Sequence, residues 1–217
     1  MKLRIAAVLT LLLVTIAAVA QTDTHSVLRP PKGHRLAIMV FEDLQCPQCS
    51  SVEPLLAGAA KTYKIPLIRH DFPIPGHNWS FDAHVMARHF DSASPELGEE
   101  FRHWILQNQR SIIKSNLRQM ADKFAAEHKT TLPMIVDPTG TFTAKVNADA
   151  AIGRTIGINQ TPTIYIVGDV QRSAPYIQVT DFGQLFQTID QMKRQVEAEA
   201  PPAKAPVKKK ATTPAVK

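Results

Sequence analysis

The sequence predicts an α/β fold, because short apolar runs alternate with longer amphipathic segments. Residues 36–41 form a continuous apolar run, which is typical of a buried strand. From Val52 to Tyr63 the apolar residues recur with helical spacing, which predicts a helix directly after this strand. Further strands are predicted at 65–72, 163–167 and 176–179, and further helices at about 80–128, 147–156 and 185–196. In the segment 147–156, Asn147 is the expected N-cap and Gly157 the residue that ends the helix. One domain with a sizeable core accommodates this order of elements.

The two ends of the chain differ in composition from the part between them. Lys2 and Arg4 precede an apolar run over 5–19, and Ala-Val-Ala at 18–20 is a small-residue cleavage pattern, which together are typical of a cleavable signal peptide over 1–20. A membrane anchor is the alternative, but the run is short for a span. We therefore expect an exported protein, periplasmic or otherwise outside the cytoplasm, where disulfides persist.

The C-terminal residues 198–217 are rich in Ala, Pro and Lys and are predicted to be a disordered tail after a domain over 21–197. The formal net charge is +6, but two of these charges fall in the signal and four in the tail. The domain between them is formally neutral, so the charge does not indicate a nucleic-acid partner. A solvated tail is favoured over one that contacts anionic lipid or cell-wall polymer.

The chain has two cysteines, Cys46 and Cys49, at the junction between the first strand and the first helix. The sulfur of Cys46 would lie at the helix N-terminus, where free amides and the helix dipole stabilise a thiolate. Pro47 fits the first turn, where a missing N–H has no cost. A structural disulfide across so short a loop would gain little stability, and a zinc site would need two more ligands. The pair therefore indicates a redox site without metal.

Two motifs carry a resemblance to a known family. The segment Cys46-Pro47-Gln48-Cys49 and the later segment Thr161-Pro162-Thr163 resemble the thioredoxin superfamily, and more closely its DsbA-like thiol:disulfide oxidoreductases. The resemblance implies a thioredoxin-like fold with a helical domain inserted at about 80–129 and no cofactor. It also implies a cis peptide bond before Pro162, beside the sulfurs. A client peptide would dock in extended form against the backbone of Thr161.

The expected function is the formation or exchange of disulfides in client proteins. Cys46 would be the exchanging sulfur and Cys49 its resolving partner, with Gln48 tuning the potential through a hydrogen bond from its amide. The expected bias is towards oxidation, but it is less extreme than with a histidine at this position, because Gln48 carries no charge. The partners would be clients with free thiols and a redox partner that recycles the pair. A monomer is expected, since about fifteen residues between Ala20 and Leu36 leave no room for an N-terminal dimerisation domain.

The sequence departs from the family at one position. Many relatives carry a buried acid six residues before the first cysteine, where this chain has Val40. Glu42 and Asp43 are near, and strand alternation allows at most one of them to face the site. We expect these acids to lie at a solvated strand end, and Glu42 is the candidate for proton transfer.

Two other functions use the same residues. A reductase or isomerase would share both cysteines and Pro162, and would differ from an oxidase in its potential. A chaperone-like peptide-binding module would belong to a different class, and its cysteines would be incidental.

Overall fold

The computed structural model describes residues 27–199 as a four-stranded sheet surrounded by six α-helices. In chain order the elements are β1 (Leu36–Glu42), α1 (Pro47–Tyr63), β2 (Leu67–Asp71), α2 (Ser80–Ala93), α3 (Pro95–Asn108), α4 (Leu117–Glu127), α5 (Thr141–Thr155), β3 (Thr163–Gly168), β4 (Tyr176–Val179) and α6 (Leu185–Ala198). The signal predicted at 1–20 and nearly all of the predicted tail lie outside the described residues. Within 27–199, no helix has the length and apolar character that crossing a bilayer requires.

Strand β1 lies inside the sheet, whose order is β2-β1-β3-β4. It pairs in parallel with β2 and antiparallel with β3, and β4 completes the sheet antiparallel to β3. All seven residues of β1 are buried, because the strand is covered on both faces. The continuous apolar run in the sequence reflects this position, and the predicted α/β class with its four strands is confirmed.

Side chains of β1 alternate between two apolar layers. Ile38 and Val40 pack with residues of α1 and α6, whereas Phe41 packs in the layer that contains α5. Helix α5 approaches the sheet closely at Gly153. A Cβ atom there would lie 2.5 Å from the ring of Phe72 and 3.1 Å from that of Phe41, so only glycine fits.

Helices α2, α3 and α4 pack around three phenylalanine rings. The ring centroids of Phe90, Phe101 and Phe124 lie 4.6 to 5.1 Å apart. The same apolar cluster contains Cys46 and Cys49. The helices that the sequence places at about 80–129 therefore pack directly against the two sulfurs.

Helix α5 begins earlier than predicted, so the assignment of Asn147 as an N-cap is wrong. The helix begins at Thr141, and the carboxylate of Asp137 accepts hydrogen bonds from the backbone N–H groups of Phe142 and Thr143. This acid satisfies donors of the first turn that Asn147, inside the helix, cannot reach. Gly157 follows the helix with a φ of +82°, as expected of the residue that ends it.

Helix α6 continues past the predicted start of the tail. Ala198 is its last residue, and the carboxylate of Glu199 accepts hydrogen bonds from the backbone N–H groups of Arg172 and Gln171 at 2.9 and 2.6 Å. These bonds lower the pKa of Glu199 to about 2. Residues 198 and 199, which the sequence assigned to the tail, are therefore ordered, because this carboxylate ties the end of the helix to a loop far away in sequence.

Candidate active site

The two cysteines lie where β1 leads into α1. Cys46 is the N-cap residue of α1 and Pro47 takes the first helical position, so Cys49 lies inside the first turn. Both cysteines are free thiols. Cys46 is 8% exposed and Cys49 1%. One sulfur can therefore meet another molecule at the surface, and the other is shielded behind it.

The surroundings of Cys46 stabilise its thiolate. A hydrogen bond from the thiol of Cys49 contributes most, and together with weaker donors it lowers the pKa of Cys46 to about 5 against the opposing effect of burial. The weaker donors are the side chain of Thr161 and the backbone N–H groups of Cys49 and Gln48. These two amides belong to the free N-terminal turn of α1, which favours an anion. At neutral pH Cys46 is thus a thiolate, the form that attacks disulfides.

Cys49 has the opposite character. Burial raises its pKa far above the ordinary value, and the hydrogen bond to Cys46 and the charge of Glu42 raise it further. The backbone N–H of Asp43, 3.5 Å from Sγ of Cys49, opposes this only in part. Cys49 therefore remains a protonated thiol at pH values where Cys46 is already a thiolate.

The Thr161–Pro162 peptide bond is cis, as the family resemblance implies. Its position in the fold brings it to the sulfurs, because the carbonyl oxygen of Thr161 lies 3.3 Å from Sγ of Cys46. Pro162 is buried and directly precedes β3. Two motifs that are 115 residues apart in the chain thus form one site.

Pro47 and Gln48 lie exposed beside Cys46, on the first turn of α1. The sequence suggested that the side-chain amide of Gln48 donates to the sulfur. In the structure the effect of Gln48 on the pKa of Cys46 comes from its backbone N–H. Any residue but proline supplies that donor at this position.

The acids before the cysteines are buried, which corrects the expectation of a solvated strand end. Glu42 is 1% exposed and Asp43 0%. The reason is that β1 extends one residue further than predicted and pairs Glu42 with Asp71 of β2. Val40, at the position where relatives carry an acid, packs in the apolar layer against α1 and α6.

Glu42 belongs to a buried ion-pair cluster centred on Arg69. The guanidinium of Arg69 donates to Glu42 Oε2 at 2.7 Å, to Glu53 at 2.8 Å and to Glu99 at 2.7 Å. The other carboxylate oxygen of Glu42, Oε1, is buried without a hydrogen-bond partner in the described part of the chain. Burial raises the pKa of Glu42, although the charge of Arg69 opposes the rise. This carboxyl group is therefore suited to carry a proton.

Asp43 fixes the loop that carries Cys46. Its Oδ1 accepts the backbone N–H of Gln45 at 2.7 Å, and its Oδ2 accepts that of Ile74 at 2.6 Å. His77 Nδ1 lies 2.9 Å from the same Oδ2. A carboxylate held by these partners positions the loop.

The inserted helices hold the same loop from the other side. His84 Nε2 accepts the backbone N–H of Leu44 at 3.3 Å, so its Nδ1 carries the proton and donates to Asp71 at 2.8 Å. Gln109 Nε2 donates to the carbonyl oxygens of Leu44 and Cys46 at 2.9 and 3.0 Å. Sequence reasoning missed both residues, because each lies at least 40 positions from its partner and belongs to no motif.

The chain is similar to known proteins in sequence and in fold. A family model described as Thioredoxin matches residues 35–197, and a search of curated proteins found no significant match. Among solved structures, the thiol-disulfide exchange protein alpha-DsbA2 of Wolbachia pipientis is 20% identical, covering 75% of this chain and 84% of its own, with a TM-score of 0.60. Wolbachia pipientis alpha-DsbA1 is 14% identical over 78% and 92%, with a TM-score of 0.62. A periplasmic thioredoxin-like protein of Salmonella enterica serovar Typhimurium is 19% identical over 79% and 97%, with a TM-score of 0.60.

The fold and the paired thiols define a thiol:disulfide oxidoreductase of the thioredoxin-like class. The family model covers most of the chain, so the chain belongs to the thioredoxin family. The solved structures share its fold. In this chain, helices α2 to α5 lie between the second and third strands in sequence.

Proposed function

We propose that the protein is an exported oxidase that forms disulfide bonds in client proteins through Cys46 and Cys49. The contrast between the two thiols carries the proposal, since the pKa of Cys46 is lowered to about 5 and that of Cys49 is raised. A stable Cys46 thiolate favours the reduced pair over the disulfide. The oxidised pair therefore passes its disulfide readily to a client.

The proposed reaction has two exchange steps. A client thiolate attacks Sγ of Cys46, so a client–Cys46 disulfide forms and the Cys46–Cys49 bond breaks. The electron pair leaves on Cys49, which takes up a proton because its pKa is raised. A second client thiolate attacks the client sulfur of the mixed disulfide and expels Cys46 as a thiolate. Two electrons thus pass from two client thiols to the cysteine pair.

Thr161 and Pro162 are assigned to client docking. The carbonyl oxygen of Thr161 lies beside Cys46, and Pro162 has no N–H that a neighbouring strand of the protein could use. An extended client segment can pair with this backbone and present its sulfur to Cys46. Pro47 adds an exposed apolar ring next to the sulfur, and the backbone N–H of Gln48 stabilises the Cys46 thiolate.

Glu42 is assigned to proton exchange with Cys49. Its charge is one of the causes that raise the pKa of Cys49, and its Oε1 has no hydrogen-bond partner within residues 27–199. Burial raises the pKa of Glu42 itself, so the group can hold a proton and release it. Glu42 thus takes the proton-transfer role that the acid six residues before the first cysteine has in many relatives, because Val40 at that position cannot carry a proton.

Glu42→Gln is expected to slow the reaction of the oxidised protein with a client thiol by about 10²-fold, the usual scale of general acid–base catalysis. It should also lower the pKa of Cys49, because a negative charge is removed. Stopped-flow fluorescence gives the rate, and faster alkylation of Cys49 at a fixed pH in a Cys46→Ala background reports the lower pKa. Glu53→Gln is the matched control, since Glu53 also binds Arg69. Equal slowing in both variants would contradict the assignment.

The equilibrium potential of the Cys46–Cys49 couple tests the oxidase proposal. Equilibration with glutathione buffers followed by thiol alkylation should give a value nearer about −120 mV than about −270 mV. A value near about −270 mV would assign the protein as a reductase. A couple that resists reduction below roughly −300 mV would be a structural disulfide, and the proposal would fail.

Export and partners follow from the same proposal. Support for export comes from the signal-like sequence at 1–20 and from a fold neighbour described as periplasmic. Each turnover leaves the cysteine pair reduced, so a redox partner must remove two electrons before the next client. We infer that the protein acts as a monomer, and light scattering that gives the mass of two chains would contradict this.

A further inference from the structure

A groove runs along the side of α1 that faces the inserted helices. It has a volume of about 340 Å³, and its walls include Trp79 and Arg110. Gln45 and Pro47, the chain neighbours of Cys46 on either side, both line it. The groove therefore begins beside the sulfur that forms the mixed disulfide.

Arg110 differs from the other arginines of the inserted helices. Arg88, Arg102 and Arg118 each bind an aspartate side chain. Arg110 is exposed, and its side chain forms no ion pair or hydrogen bond with another residue of the described range 27–199. None of the residues lining the groove is acidic. The guanidinium therefore faces the groove without a counter-charge from the groove walls.

The walls of the groove are held in place by hydrogen bonds. Gln109 Nε2 donates to the carbonyl oxygen of Cys46, and the backbone N–H of Trp79 donates to Gln45 Oε1 at 2.9 Å. Ser50 Oγ, on α1, donates to a carbonyl oxygen at the end of α3 at 2.7 Å. A ligand that enters the groove does not have to order these side chains, so little affinity is lost.

We propose that the groove receives the client residue next to the reacting cysteine, and that Arg110 selects an aspartate or glutamate at that position. The inference rests on the proposed function. A client segment lies beside the groove only if a sulfur of that client forms a disulfide with Cys46. Trp79 and Pro47 offer apolar surface to the methylene groups of the side chain, and Arg110 pairs with its carboxylate. A lysine at the same client position meets a like charge.

According to this inference, Arg110 determines which clients bind and does not determine the reactivity of the Cys46 sulfur. The main groups that lower the pKa of Cys46 are Cys49, Thr161 and the amides of the first turn. Arg110 acts instead on the encounter with the client, through a charge that solvent screens. Its replacement should therefore change which clients react and leave the potential of the cysteine pair unchanged.

The test uses three dithiol peptides that differ only in the residue next to the first cysteine, which is Glu, Gln or Lys. Oxidised wild-type protein should oxidise the Glu peptide about two- to five-fold faster than the Gln peptide, the range expected for one exposed ion pair, and the Lys peptide should be slowest. The differences should shrink as NaCl rises from about 50 to about 500 mM. Rates are read by quenching with acid and separating the peptide products.

Three variants test whether Arg110 is the source of the preference for an acidic client residue. Arg110→Gln should remove it, and Arg110→Glu should reverse it. Lys61→Glu makes the same change of charge at the far, C-terminal end of α1 and should leave the preference intact. A variant with a damaged fold would slow all three peptides alike, so the ratio of rates remains informative.

A preference that survives in Arg110→Gln, or that is lost in Lys61→Glu, would overturn the inference. Equal rates for the three peptides with wild-type protein would also overturn it, while the proposed function would stand. Failure to oxidise any peptide would instead contradict the proposed function.

Discussion

The Cys49→Ala variant is expected to accumulate as mixed disulfides with its clients, whereas Cys46→Ala forms none. Cys46 is the more exposed sulfur and a thiolate at neutral pH, so it attacks client disulfides. Without Cys49, no internal thiol can release the client. Expression of both variants, followed by non-reducing electrophoresis and mass spectrometry, should show reductant-sensitive adducts for Cys49→Ala alone.

The same experiment distinguishes an enzyme from a chaperone-like binding module. A module with incidental cysteines would hold clients without covalent bonds, and its complexes would survive reductant and replacement of both cysteines. Complete absence of reductant-sensitive adducts from Cys49→Ala would therefore contradict the redox function. A variant that lacks both thiols, Cys46→Ala with Cys49→Ala, is the matched control.

The rate of adduct formation should also depend on pH in a defined direction. The thiolate fraction of Cys46 falls as the pH falls through its pKa, so the wild-type rate with a disulfide reagent should be halved near pH 5. The hydrogen bond from Cys49 is the largest cause of this low pKa. In Cys49→Ala that bond is lost, and the rate should fall at a higher pH.

Replacing Arg69 with methionine is expected to lower the free energy of unfolding by about 3–5 kcal/mol, the cost of breaking a buried ion pair by removing one partner. The side chain of Arg69 is 4% exposed, and it is the cation that neutralises Glu42 and Glu53 inside the protein. Without it, Glu42 loses its ion-pair partner, and Glu53 keeps only the contact with His103 Nδ1 at 3.2 Å. Urea unfolding at neutral pH, followed by circular dichroism, measures the loss.

The matched control for this prediction is Glu99→Gln. Glu99 binds the same guanidinium, but its side chain is 47% exposed, so its loss should cost about 0–1 kcal/mol. The deficit of Arg69→Met should shrink in acid. Without Arg69 the folded-state pKa of Glu42 rises further, and protonation below that pKa removes the unpaired charge. Equal losses in both variants, or a deficit that grows in acid, would contradict this account.

The sequence predicts those parts of the site that depend on local pattern. The run 36–41 marks the buried strand, and the spacing of Cys46 and Cys49 marks the helix N-terminus. The family resemblance adds Pro162 and its cis bond, which the structure confirms.

The parts that depend on distant pairing could not be predicted. Strand alternation gives no sign that β1 extends to Glu42, because the register with β2 decides this. Arg69 is likewise an ordinary polar residue until the fold brings Glu53 and Glu99 to it. The hydrogen bonds of His84 and Gln109 with the cysteine loop are contacts of the same kind, because residues far along the chain meet a loop near its beginning.

The Arg69 cluster and the apolar cluster around the sulfurs together join the inserted helices to the sheet and to α1. The members of the Arg69 cluster come from four elements: Glu42 from β1, Glu53 from α1, Arg69 from β2 and Glu99 from α3. Unfolding of the inserted helices alone would expose the buried charges of the Arg69 cluster to solvent and break the ion pair between Glu99 and Arg69. It would also expose the apolar cluster around the sulfurs. Partial unfolding is therefore costly, and the insertion, although contiguous in sequence, does not gain or lose its structure independently of the sheet.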